Sequence, residues 1–276
     1  MEKSFKEKLL EDIQKTGFPL ELNIANKFME NNWSIKHSAY YIDKDEKKGR
    51  EIDLNSSIYL NEKIQDTYIE IVFSLIIEIK KATSKPWVIF TTERDERIEN
   101  ILTKNIVSSG FNIETPTIFG VFHNKGTKLN DKIGRSFYEG FSGNGSRDDI
   151  YKALAGTIKA LHHFKESSSA HDKTTDRLIE YFEPIIVVDG NLFEAYIDDK
   201  DKINLQEAEY IQAEFEYLSP NYNNEYDYTT NYVHIMKTEY LDTFIKEKEQ
   251  ILKDTYKAIK HLEFESKKTG RQKAER

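Results

Sequence analysis

Tyr68-Ile69-Glu70-Ile71-Val72-Phe73-Ser74-Leu75-Ile76-Ile77-Glu78-Ile79-Lys80 is the stretch on which the fold turns. Its odd-numbered residues from Ile69 to Ile79 are all apolar, the two-residue period of a β-strand. The other side carries Val72, Ser74 and Ile76 in its middle, so both faces are at least partly buried, as in a central strand. The strand then ends in Glu78 and Lys80, two apart and therefore on one side. An acid and a base at the end of so apolar a strand are costly unless they are paired or hold a metal ion. The plainer alternative is a salt-bridged strand end emerging into solvent.

Upstream, Arg50 to Leu60 alternates as a second strand, and Trp33 to Ile42 reads as a first, with a charged turn over Asp43 to Gly49 between them. If a polar loop over Asn61 to Thr67 closes the second and third strands into a hairpin, a turn centred between residues 64 and 66 sets Asp53 opposite Glu78, Cβ atoms roughly 5 Å apart. Like charges in that relation destabilise a sheet. A hard divalent cation removes the penalty, since magnesium is held by one or two carboxylates plus waters and phosphate oxygens. A register slipped by one or two residues would instead leave Asp53 capping a turn. Ahead of the strands, Phe5, Leu9, Leu10 and Ile13 space a first helix over residues 4–15 that Gly17 ends. Leu20, Ile24 and Phe28 stripe a second from about Pro19 to Asn31. Glu21 lies in the first turn of that second helix, where the helix dipole favours an acid. It also flanks the apolar stripe, from where it could face the carboxylate pair.

Downstream, the spacing predicts an extended segment over Lys85 to Phe90, a helix over Glu93 to Gly110 and a strand over Pro116 to Phe122. A Gly-rich loop over Gly140 to Ser146 leads to a helix over Asp148 to Lys165, then an exposed connector over residues 166–175. Asp189-Gly190-Asn191 between two apolar runs predicts a hairpin turn. Strands over Tyr210 to Leu218 and Tyr232 to Thr238, a helix over Tyr240 to Leu262 and a frayed basic tail complete the reading. The class is α/β (α+β) with a mixed central sheet flanked by helices.

The 276 residues carry 40 basic and 48 acidic side chains, a formal charge of −8, which argues against binding nucleic acid by bulk charge. There is no cysteine, so disulfides, thiolate metal sites and cysteine nucleophiles are excluded. The longest apolar run is interrupted by Glu70, Ser74 and Glu78 and falls short of a membrane span. Met1 to Lys6 leads into a charged amphipathic stretch without the apolar core of a signal peptide. A cytoplasmic location is the expectation.

A helix bearing Glu21, a strand, Arg50-Glu51-Ile52-Asp53 on a second strand and Glu78-Ile79-Lys80 on a third resembles the PD-(D/E)xK nuclease superfamily. That is the restriction-endonuclease-like fold, with core order helix, three strands, helix, strand. Ile52 stands where the motif's namesake proline would precede the Asp. The resemblance covers residues 17–80. It implies the helix 148–165 and the strand 185–188 as the remaining core, with about 86–146 as an insertion. Residues 1–170 would then be a nuclease-like core, and 171–276 a strand-rich extension completing or packing on the same sheet and ending in a long helix. Carried over, it implies Asp53 and Glu78 as ligands of Mg2+, for which Mn2+ can substitute, Lys80 as the group that activates or orients the attacking water, and Glu21 as an auxiliary acid. The implied function is hydrolysis of phosphodiester bonds in nucleic acid, DNA ahead of RNA, away from membranes, with a homodimer or protein partner left open. The alternative is a catalytically inactive nuclease-like binding or assembly module in a nucleic-acid-processing or defence complex.

Other features carry less. The Gly140–Ser146 loop lacks the Lys-Ser/Thr ending of a P-loop. His162 and His163, adjacent on a helix, point to different sides, and with the nearby His171 they read as surface polar residues. The tyrosines between 206 and 232 read as strand packing plus a polar loop, without the interleaved basic residues of a nucleic-acid surface. The terminal Lys267, Lys268, Arg271, Lys273 and Arg276 read equally as a phosphate-binding or a solubilising end.

Overall fold

A computed structural model describes residues 3–64, 66–94, 104–126, 131–142, 148–171, 176–222 and 229–274, side chains at the carboxyl end being described to residue 264. The elements run α1 (Phe5–Lys15), α2 (Phe18–Glu30), β1 (Ser34–Asp43), β2 (Lys48–Ile64), β3 (Thr67–Glu93), β4 (Ile106–Ser109), α3 (Thr115–Gly126), β5 (Lys132–Glu139), α4 (Asp148–Glu166), β6 (Arg177–Ile197), β7 (Ile203–Glu207), β8 (Tyr210–Glu216), β9 (Thr230–Lys237) and α5 (Leu241–Ala274). The described strands form one mixed sheet of nine, so the chain is α/β with helices on both faces.

β1, β2 and β3 are a meander of antiparallel neighbours. The β2–β3 register pairs Ile64 with Thr67 and holds without a slip to Leu54 opposite Ile77, which sets Asp53 and Glu78 as the next residues in line. β6 then lies parallel to β3, from Ile69 beside Arg177 to Ala82 beside Gly190. A parallel neighbour requires a crossover, and α4 lies between the two strands in sequence and packs against both. Because β5, β8 and β9 connect β3 back to β6, these five strands also close into a ring.

The alternation on β3 explains the layers. Odd residues Ile69 to Ile79 pack with Ile24, Ala25 and Phe28 of α2, Ile118 and Phe122 of α3, and Leu241, Phe244 and Ile245 of α5. Ile76 packs on the other face with Ile150, Leu154 and Ile158 of α4. Each fully buried Ile or Phe side chain contributes about 1.5–3 kcal/mol over its exposed state, so β3, covered on both faces, anchors the molecule. Among the described residues no helix is long and apolar enough to cross a membrane.

Four expectations need correction. Asp189-Gly190-Asn191 is no hairpin, because β6 runs unbroken through it and both halves pair with β3 in the same direction. Gly190, at φ +146°, sits so close to β3 that a Cβ would lie 2.4 Å from the Ala82 carbonyl carbon. Opposite Asn191, residues 83–86 bulge out of β3, where Pro86 has no N–H for the ladder; Lys85–Phe90 is thus part of one long strand. Ile106–Ser109 is an edge strand on β6 rather than part of a helix, and residues 95–103 of that expected helix lie outside the described ones. Pro116–Phe122 is helical: Thr115-Pro116 begins α3, proline being suited to a first turn. The i, i+4 pair Ile118 and Phe122 faces the core, Phe122 edge-on to Tyr181. The connector after α4 is partly buried, since Ser168 and Ala170 are covered and Ser169–His171 forms a 3-10 turn.

Candidate active site

Beyond Leu54 and Ile77 the second and third strands part. β2 continues back to Lys48 paired with β1, while β3 continues past Lys80 paired with β6. Ser38, which faces the Asp53 position on β1, has φ +45°. Ile52 packs with the α4-side cluster and Leu54 with the opposite one, although residues two apart in a regular strand share a face. The alternation therefore breaks at Asp53.

Asp53 holds that break together. Its Oδ2 accepts the backbone N–H of Ile79 at 2.7 Å, so the side chain satisfies an amide at the point where the ladder ends. Burial pushes its carboxyl above the usual carboxylate range, against the pull of the Ile79 amide and the Lys80 charge. Glu78 has a side chain only 15% exposed and is ion-paired to Lys80 through Oε1. Burial first, then the Asp53 and Glu21 charges, push its carboxyl up to about 7 despite that pairing. Burial alone would lower the Lys80 ammonium, but Glu78 and Asp53 outweigh it and its pKa is raised. Glu21 is half-buried in the first turn of α2. Its carboxyl is raised by burial and by Asp53, with His37 and Lys80 pulling the other way.

All four residues singled out from the sequence thus lie in one electrostatic neighbourhood. Asp53 and Glu78 are adjacent across the opening, Lys80 is bonded to Glu78, and Glu21 acts on the other three through space. Among the described residues no three His, Asp or Glu close round one point as a metal cage. The site is a two-carboxylate one, a donor set that suits magnesium with waters and phosphate oxygens as the remaining ligands. Burial is the main cause that raises both carboxyls, and a bound divalent cation would favour their charged forms. Asp53 Oδ2 and Glu78 Oε1 are the oxygens engaged within the protein.

Glu78 also lines a cleft of about 750 Å³ between the β1–β2 hairpin and α4, bordered by Tyr40, Arg50, Tyr151, Lys152 and Lys159. Of these five only Arg50, within the Arg50–Asp53 segment, stood out in the sequence. Its far end is clamped. Asp43, 1% exposed, accepts two bonds from Lys159 at 2.9 and 3.0 Å and one from Arg50 at 3.0 Å. Asp45 takes hydroxyl donors from Tyr217 and Ser219, an amide from Asn221 and Lys159 at 3.2 Å. Tyr217 and Tyr222 of the tyrosine-rich stretch therefore lock the hairpin turn onto α4, while Tyr226 and Tyr228 lie outside the described residues. His162 belongs to this packing too: it is buried, edge-on to Tyr222, not a surface residue. Residues 143–147 of the Gly-rich loop, Arg147 included, and the side chains of the basic tail are likewise outside the described residues.

Comparison with protein-family models, with curated proteins and with solved structures finds no match to this chain.

Proposed function

We propose that this protein is a magnesium-dependent nuclease of the PD-(D/E)xK type. The observation that carries the reading is the adjacency of Asp53 and Glu78 where β2 and β3 part, with Lys80 bonded to Glu78 at the edge of a cleft. The order of helix α2, antiparallel meander β1–β3, crossover helix α4 and parallel strand β6 supports it, being the core order of the restriction-endonuclease-like fold.

Asp53 and Glu78 would hold the cation. When bound, it supplies Lewis-acid stabilisation of the phosphoryl oxygens and lowers the pKa of a coordinated water. Lys80, a charged donor beside Glu78, orients the attacking water and offsets charge developing on the phosphate. Glu21 adds negative potential that favours a cation over an empty pair. DNA stands ahead of RNA as substrate, and the absence of cysteine fits a cytoplasmic setting.

The test is cleavage of labelled DNA and RNA in Mg2+ or Mn2+ by the wild type, Glu78→Ala and Lys80→Ala. Cleavage by the wild type, lost by at least about a hundred-fold in both folded variants, is the expected result. A wild type that cleaves neither polymer in either metal, or variants that cleave as it does, refutes the reading.

A further inference from the structure

We propose that the cleft beside Glu78 is a seat for unpaired nucleotides, with Tyr40 and Tyr151 as its stacking platforms. The inference rests on the nuclease reading for the identity of the polymer.

Size comes first. At about 750 Å³ the cleft falls in the range that encloses one small ligand, ~300–1,000 Å³. A duplex, whose major groove alone is about 12 Å wide, does not fit within it. A strand that reaches Glu78 through this opening therefore enters unpaired.

The lining is the second argument. Tyr40 of β1 and Tyr151 of the first turn of α4 are 63% and 48% exposed, yet both border the cleft. Tyr40 is carried by the β1–β2 ladder opposite Glu51, and the Tyr151 ring packs edge-on against Phe215 at 5.8 Å. Exposed rings on a strand and a helix beside the proposed phosphodiester site offer faces on which any base can stack.

Charge supplies the third. Lys48, Arg50, Lys152 and Lys159 are matched formally by Asp43, Glu46, Glu51 and Glu78 in the same lining. Lys48 and Arg50 engage Glu46, and Lys159 spans Asp43 and Asp45. A lining so balanced draws a polyanion weakly through bulk charge, which leaves stacking as the main source of affinity.

The experiment is fluorescence anisotropy with a labelled twelve-nucleotide DNA strand and its blunt duplex, in Ca2+, with Mg2+-dependent cleavage followed in parallel. The single strand is expected to bind at least about ten-fold tighter than the duplex. Tyr40→Ala and Tyr151→Ala should each weaken it at least about five-fold, Tyr40→Phe and Tyr151→Phe should restore it, and circular dichroism should be unchanged. Equal binding of strand and duplex, or alanine variants that bind as the wild type does, overturns the inference. If those alanine variants still cut duplex DNA normally, only the stacking seat fails and the nuclease reading survives. Tyrosine-dependent strand binding without cleavage in any divalent ion supports the seat while removing the nuclease reading.

Discussion

Two acids on adjacent strands of this sheet meet opposite fates. Glu183 of β6 lies 2% exposed among groups that neutralise it. Lys248 of α5 donates to its Oε1 at 2.6 Å, the Tyr181 hydroxyl at 2.9 Å, and His234 Nε2 lies 3.5 Å away. Burial would raise its pKa, but the Lys248 charge and the contacts with Lys248 and His234 win and hold it at about 2. Glu78 of β3 has Lys80 as its single bonded cation and two acids within electrostatic reach, and it is pushed up to about 7. The residue type is the same, and both side chains are largely covered, Glu183 at 2% and Glu78 at 15% exposure. The balance of neighbours separates a carboxylate that ties a helix to a sheet from one whose charge its surroundings disfavour.

The largest effect expected from that contrast is on stability. Lys248→Met leaves Glu183 buried without its main counter-charge and should cost about 3–5 kcal/mol, read from urea denaturation. A loss below about 1 kcal/mol would show that the cluster is not the tie described. Glu78→Gln should reverse the pattern, with a stability change under about 1 kcal/mol and cleavage reduced at least about a hundred-fold. A variant that unfolds would make Glu78 a structural residue like Glu183.

Acid sharpens the comparison next. Glu183 has a folded pKa depressed from 4.5 to about 2, so its contribution is fully present above the unfolded value and is lost as pH falls from about 4.5 towards about 2. His234, whose pKa is lowered by burial first and then by Lys248, works in the same direction, since a histidine held neutral in the fold resists protonation on acidification. Melting temperature should fall through that window in the wild type, and with a smaller slope in Glu183→Gln. Equal slopes would refute the assignment. The smallest effect is expected from magnesium itself. At ten times the dissociation constant it adds about 1.4 kcal/mol, or roughly 2–5 °C in a chain of this size. The shift should vanish in Asp53→Asn while persisting in Lys248→Met, as read by thermal scanning.

Legibility in the sequence followed the range of the interactions. The meander was readable because its turn is local. Once Ile64 and Thr67 pair, the register carries to Leu54 and Ile77 with no further information, and Asp53 and Glu78 follow. Glu21 was readable as a helix-start acid, and its second role depended on where α2 packs. β6 was misread because Asp-Gly between apolar runs is a local hairpin signal. The parallel pairing with β3 overrides it, since Gly190 fits against Ala82 only if the chain continues. Ile106-Val107 and Ile118-Phe122 exchanged helix and strand for a like reason. Short apolar runs are ambiguous in period, and the edge of β6 or the face beside Phe73 decided each. The cleft was invisible because its walls come from residues about a hundred positions apart.

Asp53 occupies two posts at once. Its Oδ2 stands in for the missing rung at Ile79, while its charge belongs to the neighbourhood of Glu78. An asparagine can still accept the amide hydrogen, but an alanine cannot. On the proposed nuclease reading, a lineage that gave up hydrolysis would be free to discard the charge at position 53 while still needing a side-chain acceptor there. Asparagine, rather than any small residue, is the scar that lost activity should leave.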